Sequence, residues 1–287
     1  MATAELALET LKQHVGRRQV STDVVTATQA NLLRLTLARP EPEFRDGDVL
    51  PPGWHILAFL PRFGPAALRP DGSPADTGVV PPMPLPRRMF AGQTLRFHRP
   101  IRIGEALRQE TELVDISAKT GGTGGLVFTT VLSCISGPEG LALEDERRTV
   151  YREEVKTGER NQAPRRDAAP ADLPWRRVIT PDAVLLFRFS ALTFNSHRIH
   201  YDRRWAMETE GYPGLVVHGP LTSTLLIDFA RDCQPGRVLR SYVTQARAPL
   251  FDGAPFELRG RPTASGSEVW AVTPQGTVAM SAQVELA

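Results

Sequence analysis

The same order of local signals occurs twice in this chain, once on each side of a polar segment, and this repetition constrains the fold most. Residues 154–177 include Lys156-Thr157-Gly158-Glu159-Arg160-Asn161-Gln162-Ala163-Pro164. That stretch has no hydrophobic period and reads as a linker between halves at 1–153 and 178–287. Each half opens on a capped-helix signal: Val20-Ser21-Thr22-Asp23-Val24-Val25 in the first, Ile179-Thr180-Pro181-Asp182-Ala183-Val184 in the second. In the second, Thr180 is the expected N-cap, with Pro181 in the first turn. Each half then reaches a strand ending in proline, an aliphatic residue, two more residues and glycine: Pro100-Ile101-Arg102-Ile103-Gly104 and Pro249-Leu250-Phe251-Asp252-Gly253. Alternating runs follow in both, such as Gly125-Leu126-Val127-Phe128-Thr129-Thr130-Val131 and Val278-Ala279-Met280-Ser281-Ala282-Gln283-Val284. They predict antiparallel strands joined by hairpins at Gly121-Gly122 and Gln275-Gly276. The chain therefore reads as a duplicated α+β unit, helical material wrapped by a late antiparallel sheet.

The halves differ in the middle. Leu221-Thr222-Ser223-Thr224-Leu225-Leu226-Ile227-Asp228-Phe229-Ala230 predicts a buried helix in the second half. The corresponding part of the first half carries Pro51-Pro52, Pro81-Pro82, Pro84 and Pro86. Proline cannot continue a helix, so the first half is expected to lack the central helix and to accommodate substrate, with the chemistry in the second half.

Charge and composition narrow the partners. Of 287 residues, 41% are hydrophobic and 23% charged, and the net charge is +2. A core is affordable, and no long-range field draws in nucleic acid or a membrane surface. Lysine is confined to Lys12, Lys119 and Lys156, so arginine carries the positive charge and favours bidentate grip on carboxylate or phosphate. Cys134 and Cys233 share no metal or redox spacing and read as reduced core residues. The N-terminal residues lack a leader pattern, and no apolar run approaches the ~18 residues of a spanning helix. A cytoplasmic protein is expected.

Chemistry concentrates in Thr193-Phe194-Asn195-Ser196-His197-Arg198-Ile199-His200-Tyr201-Asp202 and in Gly211-Tyr212-Pro213-Gly214-Leu215-Val216-Val217-His218-Gly219-Pro220-Leu221. The first places an amide and two imidazoles at the end of a helical pattern. The second opens the central helix on a His-Gly step. A base beside backbone N–H groups suits addition of water to an acyl thioester. Asn195, His197, His200 and Asp202 could instead bind a metal, but His-x-x-His is not the i, i+4 pair of a zinc helix. Ser190, Ser196 and Ser223 lie in no Gly-x-Ser-x-Gly elbow. Gly121-Gly122-Thr123-Gly124-Gly125 lies between strands and opens no helix, so it is not a phosphate cradle.

These two segments resemble the MaoC-like, R-specific enoyl-CoA hydratases (the hydratase 2 group), whose pattern is Asp-x-Asn-Pro-x-His followed by an apolar-x-His-Gly step. Asn195 falls on that family's catalytic Asp, His197 on its Asn, Arg198 on its Pro and His200 on its catalytic His; His218-Gly219 matches the His-Gly step. The first half resembles the non-catalytic repeat of double hot-dog members, with Phe97-His98-Arg99-Pro100 as its clearest piece. The layout is most similar to the subgroup acting on mesaconyl-C4-CoA or itaconyl-CoA. The resemblance implies a double hot-dog fold, a homodimer, no metal and no cofactor beyond the CoA of the substrate.

An asparagine cannot take a proton as a carboxylate does. His200 is therefore the expected base, Asn195 the group that orients water, and Gly219 N–H the donor to the thioester oxygen. His197, Arg198 and His218 are the expected substrate-binding residues. A dicarboxylyl group needs a cation near its free carboxylate; Arg198, Arg203 and Arg188 flank the catalytic run, and Arg87, Arg88, Arg96 and Arg99 cluster in the first half. Dehydration of 3-hydroxyacyl thioesters and non-catalytic acyl-CoA binding are the rival readings.

Overall fold

Long runs of β-branched and aromatic residues alternating with polar ones build one antiparallel sheet in this chain. The computed structural model describes residues 8–121, 124–153 and 167–287. The first half contributes β1 (Arg18–Asp23), β2 (Arg87–Phe97), β3 (Leu107–Gly121), β4 (Gly124–Gly137) and β5 (Gly140–Arg152). The second contributes β6 (Trp175–Ile179), β7 (Leu239–Ala246), β8 (Phe256–Pro262), β9 (Gly266–Val272) and β10 (Val278–Leu286). Their spatial order is β1-β3-β4-β5-β2-β7-β10-β9-β8-β6. Each half has its first strand at the outer edge and its second at the centre. The halves join where β2 pairs with β7, from Gly92 opposite Gln245 to Arg96 opposite Ser241. This is the duplicated α+β unit expected from the repeat and the double hot-dog arrangement implied by the resemblance.

Three helices of ten residues or more occur among the described residues, and the last of them packs on the sheet. α1 (Ala27–Thr36) and α2 (Ala183–Leu192) occupy equivalent places in the two halves and touch each other. α3 (Gly219–Cys233) is the central helix and buries Leu221, Leu226, Ile227, Phe229 and Ala230. One core runs through both halves, from Val25, Leu33, Trp54 and Leu95 to Tyr242, Phe256 and Val284. No helix among the described residues is long and apolar enough to cross a membrane. Cys134 and Cys233 are free and half-buried.

The repeat extends to individual hydrogen bonds. Leu50 N donates to Ile101 O at 2.8 Å, and Val217 N donates to Leu250 O at 2.8 Å. Isolated bridges join Val49 to Arg102 and Val216 to Phe251. The Pro-x-x-x-Gly segments end in left-handed glycines, Gly104 at φ 85° and Gly253 at φ 84°, a conformation that favours glycine. These segments are turns beyond the ends of β2 and β7, where strand ends were expected. By these matching bonds, Pro51-Pro52-Gly53 is the equivalent of His218-Gly219-Pro220. After Gly53 the first half makes only a 3-10 turn, Trp54–Leu57. A Cβ on Gly53 would lie 2.9 Å from Ile227 Cδ1, so α3 packs against the point where a first-half central helix would begin.

Three expected boundaries move. Val20-Ser21-Thr22-Asp23 lies in β1, paired with β3, because its β-branched residues suit an edge strand better than a helix start. The first helix begins after Thr26, whose side chain forms a capping box with Gln29. The second begins after Asp182, not Thr180: Asp182 Oδ1 accepts from Leu185 N at 2.7 Å, which leaves Pro181 ahead of the cap. The expected linker ends early, because Trp175-Arg176-Arg177 belongs to β6 on the sheet edge. Its 154–166 portion, and Gly122-Thr123 of the expected hairpin, lie outside the described residues.

Candidate active site

The site begins where α2 ends. Asn195 N donates to Ser190 O at 2.8 Å and Phe194 N to Ala191 O at 3.3 Å, a Schellman stop with Phe194 at φ 48° in the place usually taken by glycine. Strained non-glycine residues of this kind persist where the surroundings over-determine them. Here the turn delivers Asn195 and the short 3-10 segment Arg198–His200 to the mouth of α3. The Asn195 Oδ1 accepts from His197 N at 3.0 Å, so its NH2 group is the end left to donate elsewhere.

Two histidines then stack. The His200 and His218 rings lie 3.6 Å apart between centroids at 19°. The His200 Nδ1 donates to Val216 O at 2.7 Å; a carbonyl can only accept, so Nδ1 carries the proton and Nε2 holds a lone pair. That Nε2 has no hydrogen-bond partner among the described residues, and His200 borders the cavity. Burial first, then His197, pushes the His200 imidazole down to about 3. The ring is neutral at physiological pH and able to accept a proton.

His218 is fully buried and does not border the cavity. Its Nε2 bonds Ser190 Oγ at 2.8 Å, and its ring also packs on Phe189 at 5.0 Å. Burial holds its pKa well below the ordinary value. The expectation that His218 contacts substrate is therefore corrected: it fixes the plane of the His200 ring from behind.

Gly219 does border the cavity and starts α3. Its N–H has no partner among the described residues, and Pro220 in the same turn has none to offer. A Cβ at Gly219 would lie 2.7 Å from the Phe90 Cβ. Only glycine lets β2 approach the helix start this closely. The positive end of the helix dipole adds to the attraction of this point for an oxyanion.

His197 stands edge-on to His200 at 5.5 Å and borders the cavity. Burial first, then Arg88, Arg69 and Arg87, pushes its pKa down to about 4. The His197 Nε2 faces Asp71 Oδ2 at 3.9 Å. Asp71, His197 and Glu210 place ligand atoms within 4.8 Å of one another, close enough together to share a metal ion. Their carboxylates are already engaged, however, Asp71 by Ser73 and Glu210 by Arg87 and Trp205.

Arg198 is placed elsewhere than expected. Its guanidinium bonds Asp202 at 2.7 Å and Pro70 O at 3.2 Å and lies 3.9 Å over the Trp205 ring. It is not among the residues bordering the cavity. Asp202 is four residues on and Trp205 seven, so the local ion pair was available to the sequence as a helical-spacing signal.

The loop carrying Asp71 and Gly72 was not anticipated. Arg198 N donates to Asp71 O at 2.8 Å and Ser196 Oγ to Gly72 O at 2.6 Å. A Cβ at Gly72, which has φ +81°, would overlap the Ser196 carbonyl. Pro70-Asp71-Gly72-Ser73-Pro74 is a turn signal, but nothing local says that it lands on Ser196. The cavity these elements enclose has a volume of about 2070 Å³ and draws its walls from both halves.

A double hot-dog with a neutral imidazole and an open helix N-terminus on one cavity defines the class, the acyl-thioester hydratases and dehydratases. Residues 53–252 match the family described as hydroxyacyl-thioester dehydratase type 2, and the chain belongs to that family. It is 44% identical over 277 residues to the mesaconyl-C(4)-CoA hydratase of Chloroflexus aurantiacus, covering 95% of this chain and 96% of the relative. The mitochondrial hydroxyacyl-thioester dehydratase type 2 of Schizosaccharomyces pombe is 26% identical over 73% of this chain and 77% of its own. Among solved structures, a MaoC-like dehydratase from Phytophthora capsici superposes with a TM-score of 0.69 at 13% identity, covering 98% of each chain. A Mycobacterium tuberculosis protein described as a double hot-dog fold matches with a TM-score of 0.55 at 16% identity, covering 97% of each chain.

Proposed function

We propose that this protein reversibly hydrates the double bond of a short, branched dicarboxylyl-CoA, of the mesaconyl-C4-CoA or itaconyl-CoA type. The observation that carries the chemistry is the tie between His200 Nδ1 and Val216 O, because Val216 lies three residues before Gly219. Base and oxyanion donor are held by one short segment, itself anchored through Val217 N and Leu250 O. The relative that is 44% identical over nearly the whole chain supports the substrate class.

For the α,β-double bond of a mesaconyl-C4 thioester, a water accepts a hydrogen bond from the Asn195 amide and donates one to His200 Nε2. His200 takes a proton, and the oxygen of that water adds to the β-carbon. The thioester oxygen becomes enolate-like and is held by Gly219 N–H at the positive end of α3. The same proton then passes from His200 to the α-carbon, so one water supplies both new bonds. A lone imidazolium is disfavoured in so buried a place, but beside the enolate it forms a net-neutral pair. This reading calls on no cofactor beyond the CoA of the substrate.

The test is loss of absorbance at the enoyl-thioester band with mesaconyl-C4-CoA, itaconyl-CoA, crotonyl-CoA and a long-chain enoyl-CoA. The expected result is fastest turnover of a branched dicarboxylyl thioester. Preference for the long chain would replace this reading with 3-hydroxyacyl-thioester dehydration. Failure with all of them would leave acyl-CoA binding.

A further inference from the structure

We infer that Arg88 binds the free carboxylate of the acyl group and selects dicarboxylyl over monocarboxylyl thioesters; this rests on the substrate class proposed above. Arg88 lies on β2, borders the same cavity as Asn195, His197, His200 and Gly219, and is half-buried there. Its guanidinium has no hydrogen bond or ion pair with any described residue. The other arginines on the cavity wall are committed. Arg62 pairs with Asp23, Arg147 with Asp145, and Arg247 with Asp167, and Arg152 is engaged too. Arg87, next in sequence, is buried against Glu210 and Tyr212. Arg69 has no side-chain partner among the described residues either, but it does not border the cavity.

Strand geometry gives the position. Phe90 is the residue against which Gly219 packs. Arg88 precedes it by two on the same strand, so both side chains leave the same face, about 7 Å apart along β2. A guanidinium on its flexible stem, starting there, reaches the far end of a short acyl group whose thioester oxygen sits at Gly219 N–H. Charge agrees. Arg69, Arg87 and Arg88 act on His197, against the carboxylates of Asp71 and Glu210. Of these, Arg88 is the guanidinium that both borders the cavity and lacks a partner among the described residues. One substrate carboxylate balances it, and a fork of N–H donors fits that group in bidentate fashion.

The experiment compares wild type with Arg88→Gln and Arg88→Lys, each checked for an unchanged melting temperature. Two ratios are measured: kcat/KM for mesaconyl-C4-CoA over crotonyl-CoA, and the inhibition constants of butyryl-CoA over succinyl-CoA during crotonyl-CoA hydration. Arg88→Gln is expected to lower the first ratio about 100-fold and bring the second close to unity, with Arg88→Lys between. A merely structural role would lower activity on both substrates together and leave both ratios as in wild type, which overturns the assignment while the substrate class stands. A wild type that prefers dicarboxylyl thioesters in neither ratio overturns the substrate class, and the Arg88 assignment with it.

Discussion

The two halves place different residues at the same structural point. In the second, Val217 and Leu250 hold a segment that ends His218-Gly219-Pro220 and opens a helix running to Cys233. In the first, Leu50 and Ile101 hold the equivalent segment, which ends Pro51-Pro52-Gly53 and makes only the turn Trp54–Leu57. Proline has no N–H. Pro52, the residue equivalent to Gly219, therefore cannot donate to an oxyanion, and only a 3-10 turn follows it. The pair teaches that the first copy lacks the chemistry on two counts, the N–H donor at Pro52 and an imidazole to match His200, since no histidine lies between Leu37 and Trp54. The copy that lost it keeps other work, since it supplies Phe90, Arg88 and the Asp71–Gly72 loop to the cavity of its sister.

The most direct way to break this comparison is to give the second half the residue of the first. Gly219→Pro removes the N–H, and Gly219→Ala keeps it while introducing the same collision with Phe90. Both are expected to destabilise by about 1–3 kcal/mol through overpacking. Gly219→Pro should lower kcat by about 100-fold more than Gly219→Ala. Equal kcat values for the two would show that the backbone donor has no part in the reaction.

A smaller effect sharpens the contrast through stability. His197, His200 and His218 are buried neutral, with folded pKa values depressed to about 4, about 3 and well below normal. The unfolded chain binds their protons first, so stability is full above about pH 6.5 and falls as pH drops toward the folded values. At pH 5 His197 and His200 each cost about 2 kcal/mol, and His218 acts in the same direction. Asp228 works the other way: burial first, against Arg39, Arg231 and Trp54, raises it to about 6, and it regains stability between that value and 3.8. Three groups outweigh one, so the melting temperature is expected to fall between pH 7 and pH 5, and less so in His200→Gln. A melting temperature that holds or rises over that interval would contradict the neutral stack.

Much of this was legible because it is local. The repeat, the loss of a helix at Pro51-Pro52, the Asn195–His200 run and the His218-Gly219 step all lie within short windows of sequence. What was not legible depends on distance or burial. Two histidines look alike in sequence, and only packing separates His200, open to the cavity, from His218, sealed behind it. The Gly72 loop meets Ser196 from 124 residues away, and no periodicity encodes that meeting. Arg88 could not be separated from Arg87 until β2 placed one on Glu210 and left the other unpaired. Arg198 was the avoidable misreading, since Asp202 and Trp205 stood at helical spacing in the same segment.

The central claim is that His200 is the base of a single active site in the second half. The measurement is single-turnover hydration of the best thioester by His200→Ala, with circular dichroism and melting as controls for folding. A loss of about 1000-fold in rate with the fold intact is the expected result. A folded His200→Ala protein with near-normal turnover would contradict the account and move the chemistry to another group on the cavity wall.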